Sequence, residues 1–383
     1  MQKNATFPQS KTIRKKRLSD TDSRWSARLS VIREMKELFM EDTKYFDAMM
    51  QRGREFLNVR YPIICGAMTW VSEPHLVAAV CNNGCFACLA GGNAPTEILK
   101  EQILETRRLT DKPFAVNLIT IAPAYKSHLE MLREVKPEYI VFAGSFPKEK
   151  EIAAAKETGA KVLCFASTIS IAERMIRFGA DALILEGSEA GGHIGHVSAL
   201  VLMQQVLFKF SDQVPVFVAG GIATGKMIAH AALMGAAGVQ LGTRFVMTDE
   251  CRVHPKFKDV FARADARDAV STPQYDSKLP VVAVRCLRNR GMNEFGKLQL
   301  NLLRQLEAGT IHRETAQAEV EKFWVGALRR AAIEGDVENG SLMAGQSVGM
   351  VNKIMPVKDL IHELVTDAEA ELKAVKERLN KIN

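Results

Sequence analysis

The sequence has no continuous run of about 18 apolar residues, the length that a helix needs to cross a bilayer, anywhere in its 383 residues. Its first residues also lack the short apolar core of a secretory signal. We therefore expect neither a membrane segment nor export, and we predict a cytoplasmic protein. The content of 47% hydrophobic and 25% charged residues is ordinary for a globular enzyme.

Cysteine is scarce and odd in number, with seven residues scattered along the chain. This count argues against a disulfide framework and favours free thiols in a reducing compartment. Cys81, Cys85 and Cys88 lie close together, but no second group of Cys or His stands nearby at the spacing of metal ligands. We therefore predict buried small residues at these positions and no metal site.

Two nucleotide-binding fingerprints are also missing. No Gly-x-Gly-x-x-Gly motif follows an apolar run, so a nicotinamide donor would bind outside a Rossmann domain. The segment from Gly220 to Lys226 has the glycine spacing of a P-loop, but Met227 occupies the Ser/Thr position that would hold magnesium. A magnesium-dependent nucleotide site is not expected here.

The net charge of +7 is concentrated at one end of the chain. Residues 1–44 contain eleven Lys or Arg and six Asp or Glu, a net of +5, so the remaining residues carry only +2. We interpret 1–44 as a solvated basic N-terminal extension. Contact with an acidic partner and a transit peptide are the alternatives. The nearly neutral body gives no reason to expect nucleic-acid binding.

From about residue 60, short apolar runs alternate with helical stretches. The runs are continuous rather than alternating, as in parallel strands that are buried on both faces. Eight runs separated by helices predict an α/β fold, a closed TIM (β/α)₈ barrel, with an open doubly wound sheet as the alternative. The predicted strands are 61–68, 84–92, 113–119, 139–143, 161–166, 181–186, 214–221 and 237–242. The predicted helices between them are 73–82, 95–108, 124–135, 147–158, 170–178, 198–210 and 224–234.

This rhythm stops after Phe245. We predict a barrel over 45–248, a smaller cap of helices and loops without clear strands over 249–340, and a final segment over 341–383. The Gly-rich first part of that segment should return to the barrel, and residues 356–381 should form one helix rich in Glu and Lys.

The segment from Glu186 to His196, EGSEAGGHIGH, follows the sixth predicted strand. Barrel enzymes place their chemistry at the carboxyl ends of the strands. Paired glycines at Gly191 and Gly192 allow close approach to a ligand, and a histidine beside them can move a proton near neutral pH. We therefore predict His193 as the catalytic acid/base residue. The alternative is a loop histidine that satisfies local backbone groups, which is the better interpretation of His196.

Two further sets of small residues follow other strands. Gly220 and Gly221 precede a helix N-terminus after the seventh strand, and Gly242 and Thr243 follow the eighth. Loops after strands 7 and 8 are a recurrent phosphate site in barrels, although such glycines can also serve only tight turns. After the first three strands stand small residues and amides that suit the edges of a flavin ring: Gly66, Ala67 and Met68, then Gly91, Gly92 and Asn93, then Asn117. Trp70, in the same segment as Met68, could equally well belong to this site or pack against the cap.

Together these segments resemble the nitronate monooxygenase/2-nitropropane dioxygenase superfamily, and within it the flavin-dependent enoyl-acyl-carrier-protein reductases of the FabK type. The motifs that carry the resemblance are EGSEAGGHIG, AGGIATG, VQLGTRFV and GDVENGSLMAGQSVG, and it covers roughly residues 60–355. The resemblance implies FMN in the barrel mouth and His193 as the acid/base residue. By matching position it implies flavin ring and ribityl contacts from Gly66, Ala67, Met68, Asn117 and Glu186. It also implies Gly191 and Gly192 beside the ring, and Gly220, Gly221, Gly242 and Thr243 at the phosphate.

Two branches of that superfamily lead to different reactions. A reductase would use NADH or NADPH to reduce FMN and then an enoyl thioester, whereas a nitronate monooxygenase would react reduced flavin with oxygen. The segments HIG, GTRFV and SLMAGQ favour the reductase branch, whereas Cys65 stands where both branches usually have Gln. The expected partner is a small-molecule or acyl-thioester substrate, with acyl carrier protein and a second copy of the chain as macromolecular candidates. A non-catalytic flavin- or phosphate-binding protein is the remaining alternative.

Overall fold

The computed structural model describes residues 43–382 apart from residues 93, 121, 145 and 280–282. The basic extension predicted over 1–44 therefore lies almost wholly outside the described residues, as does Asn93. The chain divides into two compact units, 1–44 and 45–383, and the fold below is that of the second.

Eight parallel strands close into a barrel in the order β1-β2-β3-β4-β5-β6-β8-β9, which confirms the predicted TIM barrel. The short strand β7 lies outside this ring. The strands are β1 (Ile63–Cys65), β2 (Phe86–Leu89), β3 (Ala115–Leu118), β4 (Tyr139–Phe142), β5 (Lys161–Ala166), β6 (Ala182–Glu186), β7 (Gly192–His193), β8 (Val216–Ala219) and β9 (Gly238–Leu241).

Helices follow the strands at nearly the predicted positions. Within the described residues, two more precede the barrel, α1 (Lys44–Met49) and α2 (Gln51–Leu57), and a one-turn helix follows β9. The remaining helices up to that turn are α3 (Pro74–Asn82), α4 (Thr96–Leu109), α5 (Tyr125–Val135), α6 (Glu149–Lys156), α7 (Ile169–Arg177), α8 (Ala199–Phe210), α9 (Gly225–Leu233) and α10 (Thr243–Val246).

The barrel has an inner and an outer apolar layer. Inward side chains such as Ile64, Val141 and Phe217 fill the lumen, while the alternate residues of the same strands pack under the helices. Because successive side chains of a strand point to opposite faces, burial on both sides requires the continuous apolar runs seen in the sequence. At the amino ends of the strands, the backbone oxygen of Phe56 accepts hydrogen bonds from Tyr139 Oη at 2.8 Å and Lys161 Nζ at 2.9 Å.

The cap contains strands, so the prediction of a strandless segment over 249–340 is wrong. Strands β10 (Ala269–Ser271) and β11 (Val284–Leu287) form a three-stranded sheet with β7, in the order β10-β11-β7. Its pairs are antiparallel. Strands of two to four residues leave no recognisable pattern in the sequence, and β7 lies within a glycine run. The cap helices are α11 (Pro255–Arg263), α12 (Arg290–Glu307) and α13 (Arg313–Ala332).

The chain then returns to the barrel. Met343 bridges to Cys286 of the cap and Met355 bridges to Thr248, after which helix α14 (Val357–Asn380) packs on α9. The predicted terminal helix is thus confirmed. None of the helices in the described residues has the length and apolar character needed to cross a membrane.

All seven cysteines are buried free thiols, as the sequence predicted for Cys81, Cys85 and Cys88. Burial raises the pKa of Cys81 to about 12 and that of Cys85 well above its ordinary value. These thiols therefore stay protonated near neutral pH and are poor nucleophiles.

Candidate active site

A single cavity of about 210 Å³ lies at the carboxyl ends of the barrel strands and brings together all twelve residues that the sequence assigned to the site. They come from the carboxyl ends of five barrel strands and the loops that follow them. They are Gly66, Ala67 and Met68 after β1; Asn117 on β3; Glu186, Gly191, Gly192 and His193 around β6 and β7; Gly220 and Gly221 after β8; and Gly242 and Thr243 after β9. Convergence of residues from separate strand ends is what the barrel topology predicts for an active site.

The loop that carries His193 is fixed at both ends. Its start is tied to the barrel because Gly187 N–H donates to Ala219 O at 3.0 Å, and Glu189 Oε2 accepts from Ala199 N–H at 2.8 Å at the start of α8. A carboxylate at a helix N-terminus is favourable because it satisfies a free N–H and interacts with the helix dipole. The loop therefore presents the following glycines in a defined geometry.

The cap holds the histidine itself. In β7, His193 pairs with Val284 and Gly192 with Arg285, and Arg285 Nε donates to Ser188 O at 3.0 Å. A φ of +78° at Gly192 is a conformation that glycine adopts without strain. The imidazole faces Gly144 after β4, where a Cβ would lie 3.8 Å from His193 Nδ1. The cap thus places the candidate acid/base group over the cavity, a role for the cap that the sequence did not reveal.

A second part of the cavity lining is a glycine cradle, formed by Gly220 and Gly221 next to the start of the His193 loop. Gly220 and Gly221 have φ of +97° and +75°, so side chains there would be strained. Helix α9 begins just beyond them, with Thr224 Oγ1 accepting from Met227 N–H at 3.3 Å. Lys226 is exposed and does not line the cavity, in agreement with the rejection of a P-loop.

Thr243 connects this cradle to the return segment. Its Oγ1 accepts a hydrogen bond from Gly345 N–H at 3.1 Å. A hydroxyl that accepts one bond can still donate its own hydrogen, so Thr243 can donate to an anionic group in the cradle. This geometry fits the predicted phosphate-binding role.

Polar side chains at the strand ends form the floor of the cavity. Inward positions in register place Glu186 beside Ala219 and Ala219 beside Gln240, and a Cβ on Gly66 would lie 2.9 Å from Gln240 Cδ. Asn117 Nδ2 donates to Val141 O at 3.1 Å. Gln240 Oε1 is buried and accepts no hydrogen bond from the described residues, so a ring N–H of a ligand would satisfy it.

These features fit a flavin. The glycines leave room for a planar ring, the side chains of Asn117, Glu186 and Gln240 could bind its polar groups, and the cradle could hold a phosphate. Sequence reasoning missed Gln240 because it is hidden in an apolar strand; its signal was its position, two residues before Gly242 on the inward face of β9.

The outer wall of the cavity is apolar and comes largely from the cap and return segment: Phe257, Trp324, Leu328, Ala332 and Met343. Trp324 is buried and packs against Phe295 in a tilted arrangement, with ring centroids 4.3 Å apart. These residues were missed because the cap has no β/α rhythm from which strand ends can be located. They give this part of the cavity an apolar character.

The pH dependence of stability should reveal the buried carboxyl of Glu186. Burial raises its pKa to about 8, so the folded protein keeps a proton that the unfolded chain releases near 4.5. The folded state therefore binds more protons in that interval, and the free energy of unfolding should fall as the pH rises towards about 8. We expect the melting temperature of flavin-free wild type to fall more between about pH 5 and pH 9 than that of Glu186→Gln.

The exposed Glu101 on α4 supplies the control. Glu101→Gln should keep the wild-type pH dependence of the melting temperature. If Glu186→Gln also keeps it, the carboxyl of Glu186 does not hold the proton.

Comparison with known proteins identifies the family. The family model described as nitronate monooxygenase matches residues 51–135 and 119–367. FabK from Thermotoga maritima is 36% identical with a TM-score of 0.75, covering 87% of this chain and 99% of that one. The nitroalkane oxidase from Streptomyces ansochromogenes is 27% identical with a TM-score of 0.70, covering 84% and 99%.

A curated relative carries a third activity. The (3aS,4S,5R,7aS)-5-hydroxy-7a-methyl-1-oxo-octahydro-1H-indene-4-carboxyl-CoA dehydrogenase of Rhodococcus jostii (strain RHA1) is 29% identical over 342 residues, which cover 84% of this chain and 96% of that protein. The resemblance stated from the motifs is therefore confirmed. The cavity fits a flavin and the relatives are oxidoreductases of one family. The chain belongs to the nitronate monooxygenase family, and it is a flavin-dependent oxidoreductase.

Proposed function

We propose that the protein is an FMN-dependent reductase that uses NADH or NADPH to reduce the conjugated double bond of an enoyl thioester. The observation that carries this proposal is the apolar wall of Phe257, Trp324, Leu328 and Met343 in the cavity that His193 also lines. Such a wall buries the hydrocarbon part of an acyl group, because apolar surface leaves water favourably. A bound FMN would supply hydride transfer.

The chain's own residues bind, orient and protonate. The cradle of Gly220, Gly221 and Thr243 would hold the terminal phosphate of FMN, the usual ligand of loops at this position in a barrel. His193, fixed by β11 and facing the cavity, would donate a proton to the substrate carbon next to the thioester carbonyl as the double bond is reduced. An imidazole is suited to this task because its pKa lies near the working pH.

The relatives support a thioester substrate. The protein from R. jostii is named for its action on a carboxyl-CoA compound, and FabK shares 36% of its residues with this chain over nearly its whole length. We infer that the acyl group is delivered as a CoA or acyl-carrier-protein thioester. The buried free thiols agree with a cytoplasmic location, where thiols stay reduced.

The competing function is oxidation of alkyl nitronates with oxygen. It is favoured by the family model and by the nitroalkane oxidase, which is similar over 99% of its length. With a neutral nitroalkane as the starting compound, His193 would remove its α-proton to give the nitronate, instead of donating a proton.

Anaerobic spectroscopy distinguishes the two reactions. Purified protein should be yellow, NADH or NADPH should bleach the flavin, and crotonyl-CoA should restore its colour. A mixture without thioester serves as the control and should stay bleached. Rapid oxygen-dependent turnover of alkyl nitronates without a nicotinamide, together with no reoxidation by the thioester, would replace this proposal with the monooxygenase.

A further inference from the structure

The backbone of Trp70 is left-handed, although this residue does not end a helix. Among the described residues other than glycine, Asn58, Trp70 and Lys136 have φ in the left-handed region. Asn58 and Lys136 end helices α2 and α5, where a left-handed residue is common. Trp70, with φ of +67°, lies instead in the loop between β1 and α3. A bulky residue in this region is an outlier that points to a function.

The loop itself shows how the strain arises. Val71 N–H donates to Met68 O at 2.9 Å, which closes a four-residue turn with Trp70 at its third position. Turns with positive φ at this position usually have glycine or asparagine there. Ser72 secures the same turn, because its Oγ accepts from Met68 N–H at 2.8 Å. The turn holds a tryptophan where glycine would adopt the backbone without strain.

Burial does not compensate for this strain, because Trp70 remains 42% exposed. Its neighbours Thr69 and Val71 both line the cavity, so the indole lies at the cavity rim. Replacing Trp70 by glycine would relieve the backbone strain, so the position is not explained by backbone stability. The location of the indole at the entrance to the site suggests that it serves a ligand.

The guanidinium group of Arg329 lies beside the Trp70 ring. The guanidinium carbon of Arg329 lies 6.0 Å from the centroid of the Trp70 ring, on α13 between the cavity-lining residues Leu328 and Ala332. Arg329 is half exposed and pairs with Glu334, and its guanidinium has five N–H donors. Further donors thus remain for an anion that approaches from solvent.

Two more exposed cations belong to a segment that contacts the end of α13. His254 N–H donates to Ala332 O at 2.7 Å, and Arg252 and Lys256 stand two residues to either side of His254 and are exposed. The helix that follows, α11, contributes Phe257 to the cavity wall. The rim therefore combines an exposed aromatic face with cationic side chains.

We propose that Trp70 and Arg329 form a rim site for the adenosine diphosphate moiety that CoA thioesters and NAD(P)H share. Adenine stacks on the indole, as bases stack on exposed aromatic rings in other proteins, and the diphosphate meets the guanidinium. The reactive end of the same ligand then enters the cavity towards His193. The assignment to these two ligands rests on the proposed function, whereas the chemistry of the rim site does not.

Binding of ADP itself to the flavin-loaded full chain tests the site. Calorimetric titration should show ADP binding to wild type, about 10-fold or more weaker binding to Trp70→Ala, and nearly wild-type binding to Trp70→Phe, since base stacking on an aromatic ring is typically worth this much. Phe208→Ala removes another exposed aromatic ring, on α8, and should leave binding unchanged. Failure of wild type to bind ADP, or wild-type affinity in Trp70→Ala, would overturn the proposal.

Trp70→Gly separates binding from folding. Glycine relieves the left-handed strain, so this variant should melt no lower than Trp70→Ala, yet bind ADP as weakly as that variant. ADP affinity retained by Trp70→Gly would mean that the ring is not the binding element.

Truncated ligands identify which molecule uses the site. If Trp70 binds the dinucleotide, Trp70→Ala should raise KM for NADH but not for reduced nicotinamide mononucleotide. If it binds CoA, the variant should raise KM for crotonyl-CoA but not for crotonyl-pantetheine. If Trp70→Ala changed KM equally for the full-length and the truncated ligand of both pairs, the result would contradict the rim site. Because the ADP titration needs no turnover, absence of thioester reduction would refute the proposed function alone.

Discussion

Replacing His193 with alanine is expected to lower kcat for enoyl-thioester reduction by roughly 10²–10⁴-fold, the usual contribution of a positioned proton donor, while the protein stays yellow. The imidazole lines the cavity. The backbone of β7 pairs with β11, and this pairing does not depend on the side chain at position 193. The flavin site on the barrel floor should therefore survive the substitution. Anaerobic stopped-flow absorbance measures flavin content and turnover in one sample.

His196 supplies the matched control for this experiment. It lies three residues further on, is exposed and does not line the cavity, so His196→Ala should keep wild-type kcat. Flavin reduction by NADH should be nearly unchanged in both variants, because the proton is needed only in the step that consumes the thioester. Wild-type turnover in His193→Ala would remove this histidine from the mechanism.

The barrel and the floor of its site could be predicted because both follow from the regular spacing of continuous apolar runs in the sequence. Parallel strands that are buried on both faces must be apolar throughout, so each strand is recognisable in the sequence, and the small or polar residues at the end of each run mark its carboxyl end. Gly66, Asn117 and Gly220 were located in this way, and the structure places them in one cavity. The roles assigned to them remain predictions.

The upper half of the site could not be predicted because it depends on contacts between distant segments. β7 is a strand only because β11, about ninety residues later, pairs with it, and no local propensity in GGH indicates a strand. The apolar wall likewise comes from Trp324 and Leu328 on a cap helix whose packing, and not its pattern, turns them towards the cavity. Cap packing was one interpretation of Trp70 from the sequence; its left-handed backbone, its exposure and the nearby Arg329 favour the rim site instead.

Replacing Gly191 with alanine is expected to damage both halves of the site at once. A Cβ there would lie 2.6 Å from the backbone atoms Ala344 C and Gly345 N, which cannot move aside as a flexible side chain can. The return segment would have to shift, although Gly345 N–H donates to Thr243 and Gln346 N–H donates to Glu189 O at 2.9 Å. Overpacking of this kind typically costs about 1–3 kcal/mol of stability.

The functional loss in Gly191→Ala should exceed the loss of stability. His193 is two residues away, and a displacement of about 1 Å at a reacting group can lower turnover about 10²-fold. We expect such a fall in kcat together with weaker flavin binding, measured by the rise in fluorescence as flavin leaves the diluted protein.

Gly326→Ala is the control. Gly326 lies within α13, where the added methyl would lie 3.4 Å from Arg330 Nη1. Because alanine is a better helix former, this variant should melt no lower than wild type and keep its turnover. Wild-type flavin affinity and kcat in Gly191→Ala would show that close contact between the histidine loop and the return segment is not needed for the reaction.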